Sequence, residues 1–458
     1  MRQINLQALS DDARLGPLHG VVLCWCALII VFDGYDLAVA GIALPAIMKE
    51  MGVNPAQAGF MVSSALFGMM FGNIVFGTVA ERIGRRWAIA ACLTLFSVFT
   101  AAAGLAPTPA LFGAARFLAG IGIGGVMPNV IAHMTEYAPR RLRSTLVTLM
   151  FSGYSVGGML AAVMGKGMIE AYGWQSVFVA AGAPVLLVPL LVPLLVKWMP
   201  ESLPFLIRRG RTDELARIAR RLDPAYRRQP GDCYVVPREG NAGSAPVRQL
   251  FDDGRGFSTV MFWIACFMCL FMVYALSSWL TRLMASAGYS LGSALTFVLV
   301  LNAGAMVGAI GGGWLADRFP IKTVLVSMYL LAAVSITLLG YKMPTALLFV
   351  LVGLAGASTI GTQIVNCAYA GQFYPMAIRS TGIGWTLGVG RSGAILAPIV
   401  IGLLVGIDLP LEQNFMAIGL PALAVAVAVG LIDHRRSASH RDHPASTGER
   451  QASPVRQS

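Results

Sequence analysis

Long apolar runs alternate with short polar interruptions along almost the whole chain. A membrane-crossing helix needs roughly 20 mostly apolar residues. Twelve runs have that character: 20–46, 56–80, 87–106, 111–133, 144–168 and 174–198, then 257–282, 291–316, 323–341, 345–369, 380–404 and 413–432. Each is predicted to be a helix, because in hydrocarbon a single segment satisfies its backbone groups only by coiling on itself. The stretch 200–256 breaks the pattern. It is polar and rich in arginine, from Arg208 to Arg228, and predicts a linker with one amphipathic helix around 211–222. After Leu431 the chain turns to Ser, His, Arg and Gln, the composition of a disordered tail. The expected organisation is a six-helix half (1–199), a linker (200–256), a second six-helix half (257–433) and a tail (434–458).

Composition agrees with lipid as the solvent. Of 458 residues 56% are hydrophobic and 12% charged, about half the charged fraction of an ordinary globular domain. The net charge of +12 raises nucleic acid as a partner, but no recognition motif accompanies it. The basic residues instead cluster in the short breaks between runs, which is the positive-inside pattern. With both termini cytoplasmic, the short inner loops hold Arg82, Arg85, Arg86, Arg140, Arg141, Arg143, Arg318, Lys322 and Arg379. The outer loops hold only Lys49, Lys166, Arg282 and Lys342. The segment before Leu18 is polar and mixed in charge, without the layout of a cleavable signal, so the first run is expected to stay in the membrane. Most of the seven cysteines lie inside apolar runs, and the Cys266–Cys269 pair has no His or acidic neighbours; buried small residues explain them better than metal or redox chemistry.

A single register shift exposes a repeat. Gly68, Gly72, Gly77, Glu81 and Arg82 recur as Gly304, Gly308, Gly313, Asp317 and Arg318, and Arg143-Ser144-Thr145 recurs as Arg379-Ser380-Thr381 at the same shift. Two loops in one register predict two parallel halves. The regularly spaced small residues let helices approach closely. The acid and Arg beyond them suit a latch between the halves, or a static topology anchor. Glu81, Arg82, Glu136, Arg143, Asp317, Arg318 and Arg379 are the gating candidates, with Glu136 expected to pair with Arg143 and in reach of Glu201.

The loop Gly77-Thr78-Val79-Ala80-Glu81-Arg82-Ile83-Gly84-Arg85-Arg86 and the run Arg116-Phe117-Leu118-Ala119-Gly120-Ile121-Gly122-Ile123-Gly124 resemble signatures of the major facilitator superfamily. The resemblance implies an all-α fold of twelve transmembrane helices. One departure stands out: the family usually has Asp where this chain has Glu81, which lengthens the reach of the charge.

Charges inside apolar runs are functional hypotheses by default, since each costs about 2.5–3.5 kcal/mol at a helix centre. Asp33 lies roughly 18 Å into the first run at 1.5 Å per residue, near mid-depth, and Asp36 shares its face. Such a pair suits taking up and releasing a proton; a structural ion pair with an Arg is the alternative. Arg116 is a candidate for proton handling or packing support, and His133 for a relay or an interfacial residue. Arg391 is also near mid-depth, where its planar fork suits a carboxylate. Gly388, Gly390 and Gly393 around it would leave room for a ligand. Phe267, Phe271 and Tyr274 form a stripe that could stack on an aromatic ring or simply pack.

Phe32-Asp33-Gly34-Tyr35-Asp36-Leu37 and Tyr374-Pro375-Met376-Ala377-Ile378-Arg379, continuing through Trp385 to Gly390-Arg391-Ser392-Gly393, resemble the aromatic acid:proton symporter family, its benzoate branch above all. This implies proton-coupled uptake of benzoate or a hydroxybenzoate across a bacterial inner membrane by a monomer. Asp33, Asp36 and Arg116 would serve the proton, and Arg391, Tyr274, Phe271 and Trp385 the substrate, with no cofactor beyond the coupling proton. Efflux of aromatic compounds, or import of shikimate or a dicarboxylate, stays open. An intramembrane enzyme is disfavoured because no HExxH is present and no histidine cluster lies within the apolar runs.

Overall fold

The computed structural model describes residues 3–182, 198–223, 226–229, 232–235, 247–374 and 379–434. The side chains of Glu81, Arg143, Asp317 and Arg379 lie outside that set, as do residues 183–197 of the sixth run and the tail from 435.

Helices begin where the sequence supplies starts and stop where it supplies glycine. Pro17, Pro55 and Pro109 open α2 (Pro17–Met51), α3 (Pro55–Ile83) and α5 (Pro109–Tyr137) at the one position where a missing N–H costs nothing. Asn54 and Thr108 cap the last two through Gln57 N and Leu111 N. Gly52 ends α2 in the left-handed conformation at φ 63°. The first half is completed by α4 (Arg85–Gly104), α6 (Arg143–Tyr172) and the described start of the sixth run, α7 (Gln175–Ala181).

The second half holds α10 (Gly256–Ser286), α11 (Leu291–Arg318), α12 (Ile321–Leu338), α15 (Arg379–Gly406) and α16 (Leu411–Leu431). Between α12 and α15, one span is divided by a π-turn at Ala357–Gly361 into α13 (Thr345–Gly356) and α14 (Thr362–Phe373). Among the described residues, eleven spans are long and apolar enough to cross a membrane. The outward faces of α12 and α16 expose Leu330, Leu331, Val334, Leu420, Leu423 and Val427, a surface only lipid tolerates.

The repeat seen in the sequence is also a repeat of contacts. A Cβ at Gly68 would collide with the Phe117 carbonyl, at Gly72 with that of Ile121, and at Gly120 with that of Ala65. In the second half Gly304 abuts Gly353, Gly308 abuts Ala357 and Gly356 abuts Leu301. The register shift that relates the two sequences carries each of the first three contacts onto its counterpart. Thus α3 against α5 and α11 against α13 are the same glycine-seated joint.

The linker is more ordered than its composition suggests. After the short α8 (Leu203–Arg208), helix α9 (Thr212–Leu222) buries Leu215, Ala216, Ile218, Ala219 and Leu222 and turns its arginines outward, as its amphipathic pattern predicts. Strand β1 (Gln3–Asn5) pairs in parallel with β2 (Cys233–Val235), so among the described residues the fold is all-α except for one short ribbon outside the helical bundle. Helix α1 (Leu6–Asp11) follows β1, and Ser10 Oγ donates to the Glu136 carbonyl, 2.8 Å. The N-terminus and linker together cap one end of the first half.

The halves meet at the opposite end. Gly41 of α2 abuts the Ser277 carbonyl of α10, Gly59 of α3 the Pro398 carbonyl of α15, and Gly158 of α6 the Asn302 side chain of α11. Ser63 Oγ donates to the Ile395 carbonyl at 2.7 Å beside them. Towards the linker end, by contrast, Phe67, Met70, Phe71, Ile74 and Val75 of α3, and Val307, Ile310 and Trp314 of α11, are exposed. The glycine seams hold the bundle shut toward the far end.

Candidate functional site

The buried charges converge at mid-depth between the halves. Asp36 is 1% exposed, and Arg116 Nη1 lies 2.9 Å from both of its carboxylate oxygens. Arg116 Nη2 also donates to the Asp36 carbonyl at 3.3 Å. Thr100 Oγ1 donates to Asp36 Oδ1, and the Phe178 ring lies 5.7 Å below the guanidinium carbon. Each charge therefore has its opposite and hydrogen bonds beside it, with only Arg116 Nε left without a partner among the described residues, close to the condition for holding an ion pair out of water.

Asp33 has the reverse surroundings. It is 0% exposed, and neither carboxylate oxygen has a hydrogen-bond partner. Its electrostatic neighbours are Arg391 and Asp36. The two aspartates share a helix face as expected, but they are not a matched pair. One is neutralised in place, while the other is the group on which adding or removing a proton changes an uncompensated charge.

Arg391 is half-buried and forms no ion pair among the described residues. Its Nη1 donates to the Tyr274 hydroxyl at 3.3 Å. Tyr274 in turn neighbours the hydroxyl of Tyr154, across the boundary between halves. Tyr154 owes its place to glycine. The Cβ that Gly34 lacks would collide with the Tyr154 carbonyl, and that of Gly157 with the Val31 carbonyl, so α2 and α6 touch backbone to backbone. A void of about 10 Å³, room for one water, remains beyond the tyrosines, lined by Arg116, Leu37, Ala40, Ser277 and Ser278 among others.

Several expectations are revised. Gly390 and Gly393 do not leave space for a ligand: they seat α15 on Cys266 Sγ and the Phe267 carbonyl of α10, and only Gly388 faces open space. Phe271 is buried in the core. Trp385 is 44% exposed and stacks on Trp263 with centroids 5.8 Å apart, and no described contact joins it to Arg391 or Tyr274. Six residues separate it from Arg391, which turns it to a different face of α15.

The gating candidates that can be described make their described contacts within one half rather than between halves. Glu136 pairs with Arg85 at 2.6 Å and accepts from Ser202 Oγ and Leu203 N. The expected partner, Arg143, has its side chain outside the described residues; among those described, Arg85 at the start of α4 pairs with Glu136. Glu201 accepts from Arg86 N at 3.1 Å, and the Tyr137 hydroxyl donates to the Glu201 carbonyl at 2.6 Å. Arg82 is exposed, and its carbonyl accepts from Arg209. Arg318 lies over the Trp314 ring of its own helix, 4.1 Å away. His133 is fully buried beside Tyr137 with neither ring nitrogen bonded, facing Arg85 and Arg86. Among the described residues no cluster of His, Cys, Asp or Glu has the makings of a metal site. Tyr154 and Thr100 were not singled out from sequence. The glycines around Tyr154 were a signal of close helix approach; Thr100 carried none.

Comparison with known proteins places this geometry. The chain is 47% identical to the benzoate transport protein of Acinetobacter baylyi over 95% of its own length and 94% of that protein. It is 36% identical to the gentisate transporter of Corynebacterium glutamicum, over 91% and 87% respectively, and 34% identical to a 4-hydroxybenzoate transporter of Pseudomonas putida, over 94% and 97%. The fold matches a bacterial homologue of the human lysosomal transporter Spinster in an inward-facing conformation, with a TM-score of 0.72 at 18% identity, over 92% of this chain and 97% of that one. It also matches the partially occluded inward-open xylose transporter XylE of E. coli, with a TM-score of 0.65 at 17% identity, over 90% and 97%. The Major Facilitator Superfamily matches residues 26–362 and 304–457. With its two glycine-jointed halves closing on buried charges, the chain is a multi-pass membrane transporter and not an enzyme, and it belongs to the Major Facilitator Superfamily.

Proposed function

We propose that this protein imports a monocyclic aromatic carboxylate, benzoate first and hydroxybenzoates second, together with protons. The observation that carries the reading is an arginine at mid-depth, Arg391, engaged by a tyrosine hydroxyl and, among the described residues, by no carboxylate, in a chain 47% identical to a benzoate transporter. Its planar fork can take both oxygens of a carboxylate. Tyr274 offers a second donor and an aromatic wall. Asp33, buried and unpartnered, supplies a place for the coupling proton.

The same reading orients the molecule. The arginine-rich linker, the inner loops and both termini face the cytoplasm of a bacterium, by the basic bias of those segments. The shut end is then periplasmic, and the opposite end is the one that opens inward. Alternating access would rock the halves about the mid-depth site, opening the glycine seams as the linker ends close. The monomer is the expected unit.

Uptake of labelled benzoate into proteoliposomes under an imposed pH gradient tests this. Accumulation should follow the gradient and be competed by 4-hydroxybenzoate and protocatechuate. Accumulation only under the opposite gradient would make the protein an exporter. Competition by shikimate or succinate but by no aromatic acid would change the substrate class.

A further inference from the structure

Around the mid-depth site, positive and negative charge are unequal in kind. Asp36 and Arg116 cancel one another. That leaves Arg391 on the second half and Asp33 on the first, near enough to act on each other yet not paired. Between them stand two hydroxyls, Tyr274 on α10 and Tyr154 on α6, each within the electrostatic reach of both charges. The described chain runs from Arg391 Nη1 to the Tyr274 hydroxyl, 3.3 Å, and on to the neighbouring Tyr154 hydroxyl. It stops short of Asp33, whose oxygens are unpartnered.

We propose that Tyr154 is a positioning residue that couples the protonation of Asp33 to the availability of Arg391 for the substrate carboxylate. The inference rests on the reading of this protein as an aromatic acid importer. A guanidinium can only donate, so the Tyr274 oxygen accepts from Arg391 and its own proton is free to point onward. Tyr154 can accept that proton and turn its own toward Asp33. With Asp33 ionised, every donor points from cation to anion, and such a chain reinforces itself. Arg391 is then balanced internally and competes poorly for a second anion. With Asp33 protonated, the chain loses its anionic end and Arg391 is left for the carboxylate of the substrate. No proton travels along the chain; hydroxyls rotate, and the buried Asp33 exchanges its proton with water when motion of the halves exposes it.

The placement of Tyr154 supports a fixed link. Gly34, one residue after Asp33, holds the Tyr154 backbone against α2, so the carboxyl and the base of the tyrosine move as one body. Tyr274 and Arg391 lie on the other half, with Gly390 and Gly393 seating α15 on α10. The hydroxyl pair is therefore a polar bridge across the boundary that moves during transport. The groups facing Asp33 are Asp36 with Arg116, Tyr154, Tyr274 and Arg391, and only the last three can change partner without breaking the buried ion pair.

The test uses the purified full chain in nanodiscs and labelled benzoate, with binding measured one pH unit below and one above neutrality. Native protein should bind about tenfold more weakly on the alkaline side, the size of an ordinary coupling between two sites. Tyr154→Phe keeps the ring and its packing. It should bind with nearly equal affinity at both values, and more tightly than native protein on the alkaline side, a gain that mere loss of structure does not produce. Tyr274→Phe cuts the chain from the other half and should also flatten the dependence. A native-like pH dependence in both variants overturns the proposal. If native protein binds no benzoate, the substrate reading fails, and a readout without substrate decides the coupling. The infrared carbonyl band that appears on acidification and is absent in Asp33→Asn should shift in Tyr154→Phe; an unmoved band overturns the link.

Discussion

Asp33 and Asp36 are three residues apart on one helix, yet their surroundings demand opposite responses to the same substitution. Asp36→Asn strips Arg116 of its counter-charge, and breaking a buried pair costs about 3–5 kcal/mol. The variant should melt well below the native protein, and Arg116→Gln added to it should restore part of the loss. Asp33→Asn removes a carboxyl with no hydrogen bonds to lose. Its melting temperature should be native or higher, while gradient-driven accumulation disappears and substrate exchange, which moves no net proton, survives. Full proton-coupled uptake by Asp33→Asn would remove the carboxyl from the coupling role. At Arg391 the charge alone is not enough. Arg391→Lys keeps it but gives up the bidentate fork, and benzoate affinity should fall about tenfold, the worth of one charge-assisted hydrogen bond.

At the scale of elements, glycine decides which helices can meet. Gly34 and Gly157 let α2 and α6 touch at the backbone and thereby set Tyr154 beside Asp33. Gly34→Val forces the helices apart; overpacking of this kind costs about 1–3 kcal/mol and should abolish uptake in membranes where the protein is still inserted. Gly388→Ala, on a helix that carries two seated glycines, meets nothing within 4 Å and should transport normally. Equal damage from both would mean that the contacts do not control the site. The π-turn at Ala357–Gly361 belongs to the same logic, since Gly361 rests on Gly308 at the joint of α14 with α11.

For the whole molecule, one seam seals the far end. Gly41 against Ser277 and Gly59 against Pro398 are contacts between halves, and both have to open if the cavity is to face the other side. Gly41→Leu wedges that seam. The variant should expose a cysteine placed at Ser278 to a membrane-impermeant reagent from outside, where the native background protects it; continued protection would leave the seam closed despite the wedge. Orientation has its own test. Reporter fusions at Gln451 and within 211–222 should be active only as cytoplasmic reporters, and a periplasmic signal at either place would invert the topology.

Sequence pattern alone determined that the chain lives in lipid, that its apolar runs are helices, and that its halves repeat. These properties rest on local quantities: the length of an apolar run, a proline at a helix start, a glycine recurring in register. It also located Asp33, Asp36, Arg116 and Arg391, because a charge in an apolar run is conspicuous wherever it points. Partnership was another matter. That Asp36 belongs to Arg116, that Glu136 meets Arg85, that Gly390 and Gly393 seat a helix while Gly388 faces open space, and that Trp385 turns away from Arg391 all depend on how helices far apart in sequence are rotated and crossed. Spacing along one helix fixes which residues share a face, but only packing fixes what that face meets. The link through Tyr154 is the extreme case: a common residue in an apolar run gains its meaning from two glycines that bring its backbone against an aspartate more than a hundred positions away.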